Sequence, residues 1–289
     1  NRTGSVYLYS FDDSSFSNGR LEGHIGMNRS IHQGLGSKVH FGQSVSLDTA
    51  ADGSARLAVG SKNYAASDFG GEGNRQGAVY LYTFTGTNSL NNSWDGGSLA
   101  AIIGESVSSA NAPIFLDIDM DPRDHFGISV SLDGTMLAVG KHNDDGISGG
   151  TTNTGAGYLF TFDDTSFTNL THAGTIGDGY TGGKNINQSL GTSDFFGTGV
   201  SLDGNRLVVG AWRGDGSGNS RNDSGDVYLY TFSDSTFSGG ALAGMIGHGY
   251  SGGKNINQTL DTGDRFGYSV SLDGNRLAVG SYFGFGHNN

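Results

Sequence analysis

The 289-residue chain contains no Cys and only 2 Pro. Without thiols there is no disulfide staple, no thiol nucleophile and no thiolate metal ligand. Zero Cys does not by itself fix the compartment. Glutamate is nearly missing too: Glu22, Glu72 and Glu105 stand against 25 Asp. Cations are few, 16 Lys and Arg against 28 acids, for a formal net charge of −12. That balance argues against nucleic acid, whose phosphates call for clustered Lys and Arg. No apolar run approaches the roughly 18 residues of a membrane-spanning helix, so membrane insertion is not expected. What is plentiful is Gly, 52 residues of it, with Asp. Both are poor helix formers and good turn formers, which excludes a helical bundle or a doubly wound α/β enzyme. Collagen is excluded because no three-residue Gly period exists. Hydrophobic content is only 35%, but 17 Phe and 12 Tyr supply apolar area for a core. The chain begins Asn1-Arg2-Thr3, which reads as a processed or excised part of something longer.

A repeat organises the sequence. Phe-Gly followed by a short strand recurs at Phe41, Phe126, Phe196 and Phe266, at spacings of 85, 70 and 70 residues. A second apolar strand follows each: Leu57–Gly60, Leu137–Gly140, Leu207–Gly210 and Leu277–Gly280. A third is Val79-Tyr-Leu-Tyr-Thr-Phe84, with copies at Tyr158–Phe162 and Val227–Phe232 and a fourth at the other end of the chain, Val6–Phe11. A short fourth strand lies near Leu21–Ile25, Leu99–Ile103, Ala173–Ile176 and Leu242–Ile246. Between 179–210 and 249–280, 24 of 32 positions are identical, so the last two units are recent copies.

Each unit is thus a meander of four short strands. The third strand alternates with period two, Tyr7, Tyr9 and Phe11 on one side and Val6 and Leu8 on the other. Asp203-Gly204 and Asp273-Gly274 sit where the first two strands meet, a strong hairpin signal. Four-stranded meanders repeated around an axis make a β-propeller; the rungs of a parallel β-helix are far shorter than 70 residues. The chain ends after a second strand and begins before a third, so the two ends joined read as one unit. The expectation is an all-β protein: a β-propeller of four four-stranded blades, closed by N- and C-terminal strands that share one blade. It forms a single domain over 1–289, with units at 41–103, 126–176, 196–246, and 266–289 joined with 1–25.

Phe-Gly-x-Ser-Val-Ser-Leu, then Leu-Ala-Val-Gly, then Gly-x-Val-Tyr-Leu-Tyr resembles the FG-GAP repeat of integrin-α-type propellers. The longer unit, with 232–240 and 249–258, is similar to repeats of very large bacterial surface proteins of the adhesin or filamentous-haemagglutinin kind. The resemblance covers all four units. It implies an extracellular or cell-surface binding module rather than an enzyme; the fold itself hosts many functions. FG-GAP repeats often carry an Asp-x-Asp-x-Asp-Gly calcium loop between the first two strands. Here Asp133, Asp203 and Asp273 stand in tight Asp-Gly turns too short to wrap a calcium ion. The longer first loop, Asp48 to Gly53, has Ala50 where a ligand is expected.

The long polar loops, between strands two and three (61–77, 141–156, 211–225) and between blades (26–40, 104–125, 177–195, 247–265), should share one face, which is the expected binding surface. Asp117, Asp119, Asp121 and Asp124 form the densest acidic cluster, and alternate carboxylates on an extended stretch favour an intervening cation, here calcium. The alternative is a solvated acidic loop with Arg123 as partner. Tyr180, Lys184, Asn185 and Asn187, repeated as Tyr250, Lys254, Asn255 and Asn257, offer ring, cation and amide groups suited to a glycan. Their competing reading is structural, Tyr as plug and Asn as loop cap. Trp212 is a ligand-stacking candidate; Arg213-Gly214-Asp215 beside it matches an integrin-read tripeptide that a Gly- and Asp-rich chain produces by coincidence. Catalysis has little support: the 8 His are scattered, with no metal-type spacing. The expected function is therefore a non-catalytic adhesion or carbohydrate-binding module of a larger repetitive exoprotein. Its partners would be a glycan or a cell-surface or matrix protein, with self-association also open. A structural spacer is the alternative, and a glycosidase or lyase is more distant.

Overall fold

The computed structural model describes residues 3–26, 31–32, 39–49, 53–64, 75–85, 94, 96–105, 112–147 and 152–284. They fall into two compact units, Asn1–Gly127 with Phe162–Leu170, and Ile128–Thr161 with Thr171–Asn289. Among the described residues there is no α-helix. In the first unit β1 (Ser5–Ser10), β2 (Arg20–Gly26) and β3 (Ile31–His32) form one sheet. A second contains β4 (Phe41–Thr49), β5 (Ala55–Ser61), β6 (Ala78–Phe84), β7 (Ser98–Gly104) and β8 (Ile114–Asp117), in that order. At the unit boundary β9 (Phe126–Asp133) begins a sheet completed by β10 (Met136–Lys141), β11 (Ala156–Thr161), β12 (Thr171–Gly177) and β13 (Ile186–Asn187). The next comprises β14 (Phe196–Asp203), β15 (Arg206–Ala211), β16 (Asp226–Thr231), β17 (Ala241–Gly247) and β18 (Ile256–Asn257). The last holds only β19 (Phe266–Asp273) and β20 (Arg276–Ser281).

The strands fall where the repeat places them, and the sheets are consistent with propeller blades. The complete sheets nevertheless have five strands rather than four. The extra strand comes from the inter-blade loop and runs parallel to the fourth, Ile176 pairing with Ile186 and Ile246 with Ile256. It covers an edge whose N–H and C=O groups would otherwise stand open; β13 and β18, at two residues each, are too short to leave a periodic signature, and β8 has four. The Asp-Gly hairpins also differ in detail: Asp203 pairs with Arg206, so the turn residues are Gly204 and Asn205. Positive φ falls on Gly204 alone, at 53°. The first loop's Ala50 lies outside the described residues. The two end sheets are partial: β1–β3 lacks the repeat's first two strands, and β19–β20 consists of only those two.

The cores follow from the period-two alternation. In the first unit Tyr80, Tyr82 and Phe84 of β6 cluster with Val6, Leu8 and Ile25. In the second, Tyr228, Tyr230 and Phe232 of β16 cluster with Ala138, Leu159 and Ile176. β6 and β16 thus turn aromatic rings toward the aliphatic residues of the sheet before each, and each ring so buried contributes about 1.5–3 kcal/mol.

Between sheets the chain is latched through backbone. The Phe of each Phe-Gly donates its N–H to a carbonyl just before the third strand of the preceding sheet: Phe41 to Thr3 (2.9 Å), Phe126 to Gln76 (2.7 Å), Phe196 to Thr154 (2.9 Å) and Phe266 to Ser224 (2.9 Å). The residue after each acceptor is Gly4, Gly77, Gly155 or Gly225, at φ between 86 and 100°. A Cβ at any of the four would lie 2.0 Å from the Phe carbonyl oxygen. Gly155→Ala is therefore expected to cost about 3 kcal/mol, combining left-handed strain with displacement of a backbone contact. Gly204→Ala, at positive φ but with nothing within 4 Å of its Cβ, should cost only about 1 kcal/mol. Urea midpoints of the two variants measure the difference, and equal losses would contradict the latch.

Candidate functional site

The latch positions a row of variable side chains. The residue before each Phe-Gly is His40, His125, Phe195 or Arg265, all in the left-handed region at φ 54–59°. In three units its N–H is held by the loop between strands two and three: His125 donates to Arg75, Phe195 to Asn153 and Arg265 to Asp223, at 3.2–3.3 Å. Four non-Gly residues held in a sparsely populated conformation point to a site. Two residues beyond each Leu-x-Val-Gly stand Lys62, His142, Trp212 and Tyr282.

In the second unit these positions make a continuous aromatic row. His142 meets Phe195 edge-on at 5.6 Å, and Phe195 meets Trp212 at 5.6 Å. Trp212 meets Tyr268 at 5.7 Å, and Tyr268 stacks on Tyr282 at 4.7 Å. Tyr282 touches Phe283 at 4.6 Å. The Arg265 guanidinium lies 4.6 Å from the Trp212 ring centre and 4.3 Å from that of Phe283, close enough for cation–π attraction. Tyr268, Tyr282 and Phe283 are exposed. Trp212 Nε1, Asp264 Oδ1 and Arg265 Nε are buried yet have no protein partner, so the row carries two donors and an acceptor still to be satisfied. In the first unit the same positions are basic: His40, Lys62 and His125, with Arg75 nearby. Burial, then Lys62 and Arg75, push His125 down to about 4.

The sequence-derived candidates take different places. Asn185 accepts from Thr175 N–H at 2.8 Å, and Asn187 from Gly179 N–H at 2.9 Å. Asn255 and Asn257 repeat this with Met245 and Gly249, both at 2.8 Å. These amide oxygens close the loop's own backbone. Lys184 Nζ donates to Thr236 O at 2.5 Å, and Lys254 is exposed. Arg213 forms a two-pronged ion pair with Asp223, at 2.9 and 3.0 Å. Asp215 accepts from Asp223 N–H at 2.8 Å, so the Arg-Gly-Asp side chains are engaged within their own loop. Asp124 Oδ2 accepts from Asp121 N–H at 2.7 Å. Asp194 and Asp264 make the same turn with Gly191 and Asp261, at 2.6 and 2.8 Å. Asp124 therefore belongs to the repeat and is not peculiar to the acidic cluster. Asp117, Asp119 and Asp121 are exposed. Among the described residues no three His, Asp or Glu gather closely enough to hold a metal.

Tyr180 and Tyr250 mark a buried polar spot that two successive repeats build differently. Tyr180 OH donates to Asp144, 3.0 Å away, and Lys141 Nζ lies 2.9 Å from the same carboxylate. One repeat later Lys141 becomes Ala211 and Asp144 becomes Gly214, and the carboxylate comes instead from Asp226 on β16. A Cβ on Gly214 would stand 2.3 Å from Asp226 Oδ2, so the acid occupies the space its counterpart leaves. Tyr250 OH donates to it at 3.2 Å, but the lysine has no replacement. Burial, with Asp194 and Asp215 adding repulsion, pushes Asp226 up to about 7. Burial likewise pushes Asp194 up to about 6, with Asp215 and Asp223 nearby.

A carboxyl with a raised folded-state pKa favours folding while both states are protonated, and that contribution is lost as pH rises toward about 7. Asp226→Asn should accordingly unfold at a temperature several degrees above wild type at pH 8 and within a degree or two of it at pH 4. Calorimetry at the two pH values measures this; the same difference at both would remove Asp226 as the titrating group.

The fold and these sites define a class: a repeat all-β protein of propeller-like blades with a side-chain row above the latch. The FG-GAP repeat family model matches residues 114–160, 190–230 and 260–289, so the chain carries FG-GAP repeats at these three places. No curated protein matches the chain. The row itself escaped sequence reasoning. Its signal was variation at fixed places in the repeat, His, His, Phe, Arg before Phe-Gly and Lys, His, Trp, Tyr after the second strand.

Proposed function

We propose that the chain is a non-catalytic extracellular adhesion module that binds carbohydrate along the aromatic row of its second unit. The observation that carries this is the exposed Tyr268–Tyr282–Phe283 stack, running into Trp212 and Arg265, with buried polar atoms unsatisfied beside it. Sugar rings stack their C–H faces on aromatic planes, here those of the exposed Tyr268, Tyr282 and Phe283. The loops at this end are braced against each other, Ile147 N–H bonding to Asp178 O at 3.1 Å and Ser217 N–H to His248 O at 2.8 Å. A rigid rim suits a preformed site. The repeat supplies four blades in this reading, three complete and a fourth composed of β19–β20 with β1–β2. Calcium at Asp117, Asp119 and Asp121 belongs to the same proposal as an accessory, and its test is the chelator arm of the experiment.

On a glycan array the wild-type chain should bind a defined set of saccharides. Trp212→Ala and Tyr282→Ala should each weaken binding at least tenfold, about 1.4 kcal/mol. Asn187→Ala should leave binding unchanged, because that amide serves its own loop. Loss of binding in EDTA would support the calcium role, and indifference to EDTA would remove it. Absence of any glycan binding would overturn the proposal.

A further inference from the structure

The first unit carries basic side chains at the places where the second carries rings. Lys62 stands where the later repeats have His142 and Trp212, and His40 and His125 stand where they have Phe195 and Arg265. One further exchange sharpens the contrast. In the second unit Asp223, two residues before Gly225, makes the two-pronged ion pair with Arg213. Two residues before Gly77, the counterpart of Asp223 is Arg75, and the counterpart of Arg213 is Asn63. The acid has become a base and its arginine an amide, so a balanced pair in one repeat is a lone cation in the other. Among the described residues neither Lys62 nor Arg75 forms an ion pair.

Backbone hydrogen bonds within the first unit gather these residues. Asn63 N–H donates to Val39 O at 3.2 Å, which sets Lys62 beside His40. Gly77 N–H donates to Tyr64 O at 3.0 Å and closes the loop that carries Arg75. His125 N–H then donates to Arg75 O at 3.3 Å. In the second unit the counterparts of His125 and Lys62, Phe195 and His142, meet ring to ring at 5.6 Å. The bases also act on one another. Burial, then Lys62, Arg75, His40 and Arg123, depress His125, and burial with Arg75 lowers Lys62. Asp124, between Arg123 and His125, is buried and accepts from Asp121 N–H at 2.7 Å. Lys62 is half-buried, while His40 and Arg75 are exposed. In a chain of net charge −12 this crowding of bases costs free energy that an anion placed among them would relieve.

We infer that Lys62 and Arg75, with His40 and His125 beside them, form a site for a tetrahedral dianion: inorganic sulfate or phosphate, or the phosphate monoester of a larger ligand. Two cations match the charge of a dianion. The Arg75 guanidinium offers a planar fork and the Lys62 ammonium a compact point charge, and both are established phosphate-binding groups. Each imidazole adds a ring N–H. A carboxylate would be met by the Arg75 fork alone and would leave Lys62 unmatched. The site is independent of the aromatic row, since it uses other residues in the other unit and needs no saccharide. Its strength is electrostatic and falls as salt is added.

Calorimetry of the whole chain with sodium sulfate, sodium phosphate and glucose 6-phosphate, at low ionic strength and with glucose as the uncharged control, tests this. Anion should bind and glucose should not compete for the same site. Lys62→Gln/Arg75→Gln should weaken binding at least about tenfold, with an unchanged circular dichroism spectrum showing that the fold survives. Arg20→Gln removes a cation that pairs with Asp12 and Glu22 on β2, and it should leave binding unchanged, which separates a site from net charge. A second measurement needs no substitution: the ring signals of His40 and His125 in the NMR spectrum of the wild type should move as anion is added. Binding of glucose 6-phosphate together with the inorganic ions assigns a ligand-borne phosphate, and binding of the inorganic ions alone assigns the free anion. Equal binding by the double variant, histidine signals that stay in place, or no binding of any of the three anions would overturn the site.

Discussion

Where one sheet passes to the next, a Phe N–H bonds to a carbonyl, and the Gly beside that carbonyl lies against the oxygen of the same Phe. The approach is tighter than any side chain permits, so the four Gly positions are fixed by backbone geometry. Much else follows from this contact. It sets the spacing at which the aromatic face of one third strand reaches the aliphatic face of the sheet before it. It also holds the residue preceding Phe-Gly in the left-handed region, aiming that side chain into the row. Serine hydroxyls add an inner layer: Leu202 and Leu272 donate their N–H to Ser131 and Ser201, each at 2.9 Å. The Ser of Val-Ser-Leu is thus a structural acceptor between neighbouring sheets.

The repeat is strict in its backbone contacts and free elsewhere. The buried polar spot under Tyr180 and Tyr250 shows this: Lys141 and Asp144 form an ion pair in one copy, while the next holds Asp226 without a cation. Removing a buried charge's partner is costly, and raising the acid's pKa into the neutral range is how the second copy meets that cost. The same freedom makes the row aromatic in the second unit and basic in the first. Near-identical scaffolds therefore present different chemistry at the same repeat positions.

Sequence reading succeeded where the signal was local and repeated. Val-Tyr-Leu-Tyr-Thr-Phe declared a two-faced strand, Asp-Gly-Asn declared a hairpin, and the spacing of Phe-Gly declared the unit. It missed the parallel fifth strands because Ile186-Asn187 and Ile256-Asn257 carry no periodicity and pair only through tertiary context. It gave Asn185 and Asn187 a glycan and Asp124 a cation on side-chain chemistry alone. Which backbone N–H each of these oxygens meets is fixed by loop geometry that composition does not encode. It treated Trp212 as an isolated ring, whereas Phe195, Arg265 and Tyr268 reach it from separate strands and turns.

The sequence by itself determined the all-β character, the length of the unit, the strand faces and the Gly positions, because each depends on residues within a few places of one another. Only the tertiary structure decided which carboxylates are spent on turns, which rings assemble into a row and which remain exposed on β1. Those outcomes depend on contacts between residues tens of positions apart, where a difference of one side chain, as between Lys141 and Ala211, changes what the neighbouring groups must do.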